Sequence, residues 1–228
     1  MLMRDPMTYL AAVFVLVVLA LTYLSGRFEL AVYTLSFWHY LAYALAFSWR
    51  NITHEQFIND SYLLKIISLA TLASVLWVTT PNLAAFLAMA LGFALNISAA
   101  RALGAERTYY GYELAALPPK RITAFPYSMT GHPMLIGNML AFGAPLLDSS
   151  FRETWWPFAI LHVLLNLLII LNEASGRENR LIGAVWSAVL VGGGALTLAA
   201  GFWTTWPFGL VASAASLLFG MAIIHRYA

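Results

Sequence analysis

The sequence predicts an all-α integral membrane protein, a polytopic bundle of about eight transmembrane helices. Hydrophobic residues make up 61% of the 228 positions and charged residues 10%, which leaves no surface suited to water. Runs of about 20 apolar residues, the number needed to cross a hydrocarbon layer ~30 Å thick, recur along the whole chain. The cations fall in alternate connections between those runs. A net charge of +2 gives no reason to expect nucleic acid as a partner. The absence of cysteine excludes disulfides, thiolate metal sites and thiol nucleophiles.

In chain order the predicted spans are 7–25, 29–49, 62–80, 82–101, 133–147, 155–171, 181–201 and 206–224. Arg4 before the first apolar run imitates a signal peptide, but that run is too long and lacks a small-residue cleavage site, so it is expected to be retained. The third and fourth spans meet at Pro81-Asn82 with almost no spare residues, which predicts a tight hairpin. The fifth span is short and carries Pro133 and Pro145, so it is expected to tilt or to lie among its neighbours. Gly192-Gly193-Gly194 and the small residues from Ala212 to Ser216 suit close helix packing, within the bundle or between subunits of an oligomer.

Orientation follows from charge. With eight spans and the N-terminus inside, the cytoplasmic segments hold Arg4, Arg50, Lys65, Arg101, Arg107, Lys120, Arg121, Arg177, Arg180 and Arg226. The other side holds Arg27 and Arg152. That asymmetry predicts both termini in the cytoplasm. It also brings His132, Gly137, Asn138 and Glu173 to one membrane level, beside the polar stretch 101–130.

Within that level several residue types point to binding or catalysis. Pro133 suits the first position of a helix, where its missing N–H is not needed. The amides of Met134 and Leu135 then face outward, and with His132 they can receive a carboxylate or a phosphate; an ordinary helix start is the alternative. Gly137 permits close approach of a ligand or of another helix. Glu173 can accept from ribose hydroxyls or an amine, or can simply pair with Arg177 one turn later. Tyr109, Tyr110, Tyr112 and Glu113 offer aromatic faces and a carboxylate to a cation, although an interfacial tyrosine belt has the same composition. Arg121, after Pro118-Pro119 and Lys120, can hold a lipid phosphate by a bidentate fork or attract an anionic leaflet in general. His39, Asn96, His162 and Asn166 lie within spans and are expected to hydrogen-bond between helices. No histidine pair has metal-ligand spacing, so no metal is expected.

The stretch resembles the phospholipid methyltransferase superfamily, which includes phosphatidylethanolamine N-methyltransferases and isoprenylcysteine carboxyl methyltransferases. Phe125-Pro126-Tyr127, His132-Pro133-Met134, Gly137-Asn138 and Glu173 match its motifs in order and spacing. Leu103-Gly104, Thr108-Tyr109, Gly111 and Arg121-Ile122-Thr123 look more like the phosphatidylethanolamine branch. The resemblance covers roughly 62–180 of a single membrane domain, with 1–50 and 181–228 as accessory helices. It departs from the family where Asn172 replaces the first of two glutamates, where Gly131 stands before His-Pro, and at Arg107, Tyr112 and Glu113.

What the resemblance implies is an S-adenosylmethionine-dependent enzyme. The cofactor is expected to be held by Tyr127, His132, Pro133, Met134, Gly137, Asn138 and Glu173. The acceptor is expected to be the amine of an ethanolamine lipid, bound by Tyr109, Tyr110 and Arg121. Glu113 and His132 are the expected catalytic residues, Glu113 being favoured as the base. A thiol or prenylcysteine carboxylate is the alternative acceptor. A non-enzymatic carrier or assembly factor on the same fold also stays open, because one carboxylate of the motif is missing.

Overall fold

A computed structural model describes residues 5–174 and 207–228, and every described element is helical. The described chain divides into two compact units, residues 5–72 with 207–228 and residues 73–174. Among the described residues six helical stretches are long and apolar enough to cross a membrane, Phe28–Trp49 taken as one, with a shorter apolar helix besides. The predicted span 181–201 and the Gly192-Gly193-Gly194 run lie outside the described residues.

In the first unit α1 is Pro6–Ser25, with the Asp5 carboxylate accepting from the Met7 amide at 3.0 Å and Gly26 closing the helix at φ 65°. The predicted second span is one stretch in the sequence but two helices in the structure, α2 Phe28–Leu35 and α3 Trp38–Trp49. The break has a physical cause. The Trp38 indole N–H donates to the Thr34 carbonyl at 2.8 Å, which a continuous helix would have offered to the Trp38 backbone amide. Buried Ser36 at the break accepts from the Thr71 hydroxyl at 2.9 Å.

Helix α4, His54–Thr79, begins eight residues before its predicted span. Thr53 and Gln56 form a reciprocal capping box: the Thr53 hydroxyl accepts from the Gln56 amide and the Gln56 side chain accepts from the Thr53 amide. The last helix of the chain, α10, is Phe208–Tyr227. Its Phe219 stacks on Phe14 at 4.4 Å, and Trp38 sets its edge against both rings. A side chain at Gly220 would meet the Trp38 indole at 3.0 Å. The small residue Ala212 packs on Leu30, so this part of the small-residue run serves packing inside the unit.

The start of α1 and the end of α10 are tied together. Arg226 donates to both oxygens of Asp5, at 2.8 and 2.9 Å, and lies 3.4 Å from the buried Asp60 carboxylate. Burial raises the pKa of Asp5, but its bonds from Arg226 and the Met7 amide prevail and hold it below the ordinary value. The two ends of the described chain therefore share one membrane level. Close by, the Asn51 amide donates to the Ala228 carbonyl at 3.0 Å.

The second unit holds the end of α4, then α5 Leu83–Leu103, the short turns α6 Ala105–Thr108 and α7 Gly111–Leu114, α8 Pro133–Gly143 and α9 Ser149–Ala174. Helix α8 passes into a 3-10 turn, Ala144–Leu147, at Pro145, whose nitrogen cannot extend the α-helical ladder. Together these segments reach about 25 Å, short of the ~30 Å hydrocarbon layer. The predicted start of α9 at residue 155 moves back to 149, because Asp148 accepts from the amides of Ser150 and Phe151. Asp148 also accepts from the Asn82 amide at 3.0 Å, and Ser150 donates to the Thr79 carbonyl at 3.0 Å, which knits one end of this unit.

Candidate active site at the start of helix α8

Helices α5 and α8 cross closely, and two glycines permit it. A Cβ on Gly137 would stand 2.7 Å from the Gly92 carbonyl and 2.8 Å from the Asn96 amide. The open side of Gly137 is thus filled by α5, so its lack of a side chain is explained by helix packing. Next to this crossing, Asn96 donates to the Met134 carbonyl at 3.1 Å and to the Asn138 side chain at 2.9 Å. Asn138 donates onward to Asn166 at 3.4 Å, and Asn166 to the His162 carbonyl at 2.8 Å. Both ends of the Asn138 amide are therefore used between helices. His162 is fully buried, with its ring stacked 4.0 Å from Phe142. Of the four residues expected to hydrogen-bond between helices, Asn96 and Asn166 do so through their side chains.

This ladder fixes the first turn of α8 on its neighbours, and the site is built at its end. His132 caps α8 by position, with no side-chain bond to the helix, and Pro133 occupies the first turn. The side chain points elsewhere: His132 Nδ1 lies 3.0 Å from Glu173 Oε2. The other carboxylate oxygen of Glu173 accepts from the Tyr110 hydroxyl at 2.9 Å. Tyr127 is half-buried nearby, and burial together with the negative charge of Glu173 pushes its pKa up. The hydrogen bond to Glu173 raises the pKa of His132; burial opposes the shift and the carboxylate's charge adds to it.

The turn that delivers Tyr110 is strained. Its backbone is left-handed at φ 56° and ψ 38°, which costs about 1–2 kcal/mol for an L residue. Gly111 follows because a Cβ there would strike the Glu106 carbonyl. Tyr110 was expected beside a substrate; the structure places it on Glu173. The Tyr-Gly dipeptide was the available sign that this tyrosine sits in a turn rather than in an interfacial belt.

Tyr110, Tyr127, His132 and Glu173 are thus brought together from three separate parts of the sequence. Tyr109 is buried beside Tyr110 in sequence. Glu113 is half-buried on α7 and Arg121 is exposed beyond Pro118-Pro119, and neither takes part in this hydrogen-bonded group. The expected Glu173–Arg177 pairing lies outside the described residues. Asn172, in the place of the missing glutamate, is buried at 4% exposure. Among the described residues no group of His, Cys, Asp and Glu could hold a metal ion.

Each oxygen of Glu173 retains a lone pair beyond the bonds it makes. Together with the tyrosine rings it can receive a cation or hydroxyl groups. The Met134 and Leu135 amides at the α8 start, not capped by His132, can receive a carboxylate. A ligand carrying a cation, hydroxyls and a carboxylate fits this set of donors and acceptors.

Comparison with curated proteins and with solved structures gave no match. Residues 81–175, the stretch that carries this site, match the family model described as phospholipid methyltransferase.

Proposed function

We propose that the chain is an S-adenosylmethionine-dependent methyltransferase of the membrane that N-methylates the ethanolamine headgroup of a phospholipid. The family match supports a membrane methyltransferase. The observation that carries the finer reading is the Tyr110–Glu173–His132 group, which lies inside the matched stretch and offers what this cofactor needs. When bound, adenosylmethionine supplies a methyl group on a positively charged sulfur, which an amine nitrogen takes by in-line displacement.

The chain's own residues bind, orient and move a proton. Glu173 offers its free lone pairs to cofactor hydroxyls or the amine, and Tyr110 holds that carboxylate in place. The α8 amides receive the cofactor carboxylate end. Asn96 and Asn138 act by positioning the α8 start, since their side chains are engaged between helices. An alkylammonium acceptor must lose a proton before it can attack. His132, oriented by Glu173, is the better-placed base; Glu113 stands outside the hydrogen-bonded group. Arg121 holds the lipid phosphate at headgroup depth, and the cation asymmetry of the sequence sets this face toward the cytoplasm.

The test is to incubate purified protein with methyl-labelled adenosylmethionine and phosphatidylethanolamine, and separately with a prenylcysteine peptide and a small thiol. Label in the lipid amine supports the reading. Label only in the carboxylate or the thiol moves the chain to a sister activity, and no transfer to any acceptor removes the proposal.

A further inference from the structure

The segment joining α7 to α8 has two faces, and the methyl-transfer reading leaves the apolar part of the outer one unused. Its inner side carries Pro126, which is buried, and Tyr127, which is half-buried near Glu173. Its outer side carries Phe125 at 61% exposure and Met129 at 76%. The other large apolar side chains exposed among the described residues lie on helices, where lipid can cover those on spanning helices. Phe125 and Met129 lie on a turn between helices, closed by Ser128 N–H to the Ala124 carbonyl and Met129 N–H to the Pro126 carbonyl. Hydrocarbon walls of a helix therefore do not account for them.

Charge on the same segment is one-sided. Lys120 and Arg121 are exposed, and no acidic residue occurs between Glu113 and Asp148. The base of the segment is pinned where Arg107 donates to the Pro118 carbonyl at 2.7 Å, and Pro118-Pro119 stiffens the chain before the two cations. The segment leaves near the end of α5 and returns at the start of α8, two neighbouring helix ends of one unit. Both of its ends therefore lie at the water–lipid boundary of that unit. Apolar side chains flanked by basic ones at that depth fit an anionic leaflet, which attracts both cations.

We propose that residues 118–131 form an interfacial strap that docks on the anionic lipid of the protein's own leaflet. Phe125 and Met129 enter the acyl boundary, and Lys120 and Arg121 lie among the headgroups. Because Tyr127 is on the reverse of the same turn, docking braces it over Glu173. The inference does not depend on which reaction the site performs.

The chain has no cysteine, so one introduced thiol can be labelled selectively. Nitroxide labels at Met129→Cys and, separately, at Phe125→Cys are read in nanodiscs of phosphatidylcholine alone and of an equal mixture with phosphatidylglycerol. Collisions with lipid-soluble oxygen are compared with collisions with a water-soluble nickel chelate; a label at exposed Glu153→Cys serves as the reference. Expected is a several-fold rise in the oxygen-to-nickel ratio at 125 and 129 in the anionic discs, none at 153, and loss of the rise when Lys120 and Arg121 are both changed to Gln. Labels that stay in water in both lipids overturn the strap. Burial that is equal in both lipids overturns its assignment to anionic lipid. Reading two positions keeps the test decisive if one variant fails to fold.

Discussion

Asp5, Asp60 and Arg226 in one unit set one guanidinium between two carboxylates, whereas Tyr110, His132 and Glu173 in the other set one carboxylate between two donor groups, and the two clusters differ in exposure and charge. The Arg226, Asp5 and Asp60 side chains are 16%, 9% and 3% exposed, and the guanidinium bonds both oxygens of Asp5. His132 and Glu173 are 33% and 21% exposed, and their charge depends on a titrating imidazole. A largely enclosed guanidinium fork ties the start of α1 to the end of α10. A half-open carboxylate shared by a hydroxyl and an imidazole can exchange partners at little cost. The comparison separates a cluster that serves the fold from one suited to a ligand.

The largest effect should come from breaking the Arg226 cluster. Arg226→Ala leaves the buried Asp60 and the partly buried Asp5 without their cation, and this should cost about 3 kcal/mol, the lower end for a buried pair. Thermal unfolding in detergent should show a large fall in melting temperature, and Asp5→Asn combined with Arg226→Met should recover part of it. A melting temperature unchanged by Arg226→Ala would erase the contrast between the clusters.

Next comes the helix crossing that supports the ligand site. Gly137→Ala drives a methyl group against the Gly92 carbonyl and the Asn96 amide. Overpacking of this kind costs about 1–3 kcal/mol. Both the melting temperature and cofactor affinity should fall, since the α8 start moves with the crossing. Affinity retained at the wild-type value would show that the crossing does not position the site.

Arg121 sharpens the comparison from the substrate side, because it is exposed and bonded to nothing in either cluster. Arg121→Ala should slow lipid methylation with little change in cofactor affinity. Arg121→Lys should recover only part of the rate, since an ammonium keeps the charge and loses the bidentate fork. Initial rates for both variants decide it, and full activity in Arg121→Ala points to an acceptor without a phosphate.

The smallest effect is on pH dependence. The folded pKa of His132 is raised by Glu173, so the folded state holds its proton more tightly than the unfolded chain does. The stabilisation is fully present below the ordinary histidine value and is lost as pH rises through the raised one. The melting temperature of wild type should therefore exceed that of His132→Gln most at mildly acidic pH, and the gap should close toward alkaline pH. The methylation rate should run the other way, rising over the same window as His132 becomes an acceptor. A gap that stays constant with pH would mean the His132–Glu173 bond carries no linked proton.

Spans were legible because apolar runs report on lipid directly. Their ends were not, since polar residues set them: the Thr53–Gln56 box starts α4 ahead of its apolar run, and Asp148 does the same for α9. The break at Ser36 was hidden because its cause is an indole competing for a carbonyl, with no glycine or proline to mark it. In the site, His132, Tyr127 and Glu173 could be named from their motifs. That Tyr110 bonds Glu173 depends on a left-handed turn bridging 63 positions, and the Arg226–Asp5 pair bridges 221. Periodicity carries no information about such contacts.

Calorimetric titration of adenosylmethionine into purified wild type, Glu173→Gln and Asp60→Asn tests the central claim most directly. A hydrogen bond to a charged group contributes about 1.5–3 kcal/mol, so Glu173→Gln should weaken binding about ten- to a hundredfold while its melting temperature stays close to wild type. Asp60→Asn, in the other cluster, should bind with wild-type affinity. Wild-type affinity in Glu173→Gln, or no binding to the wild-type protein, would contradict the assignment of this site.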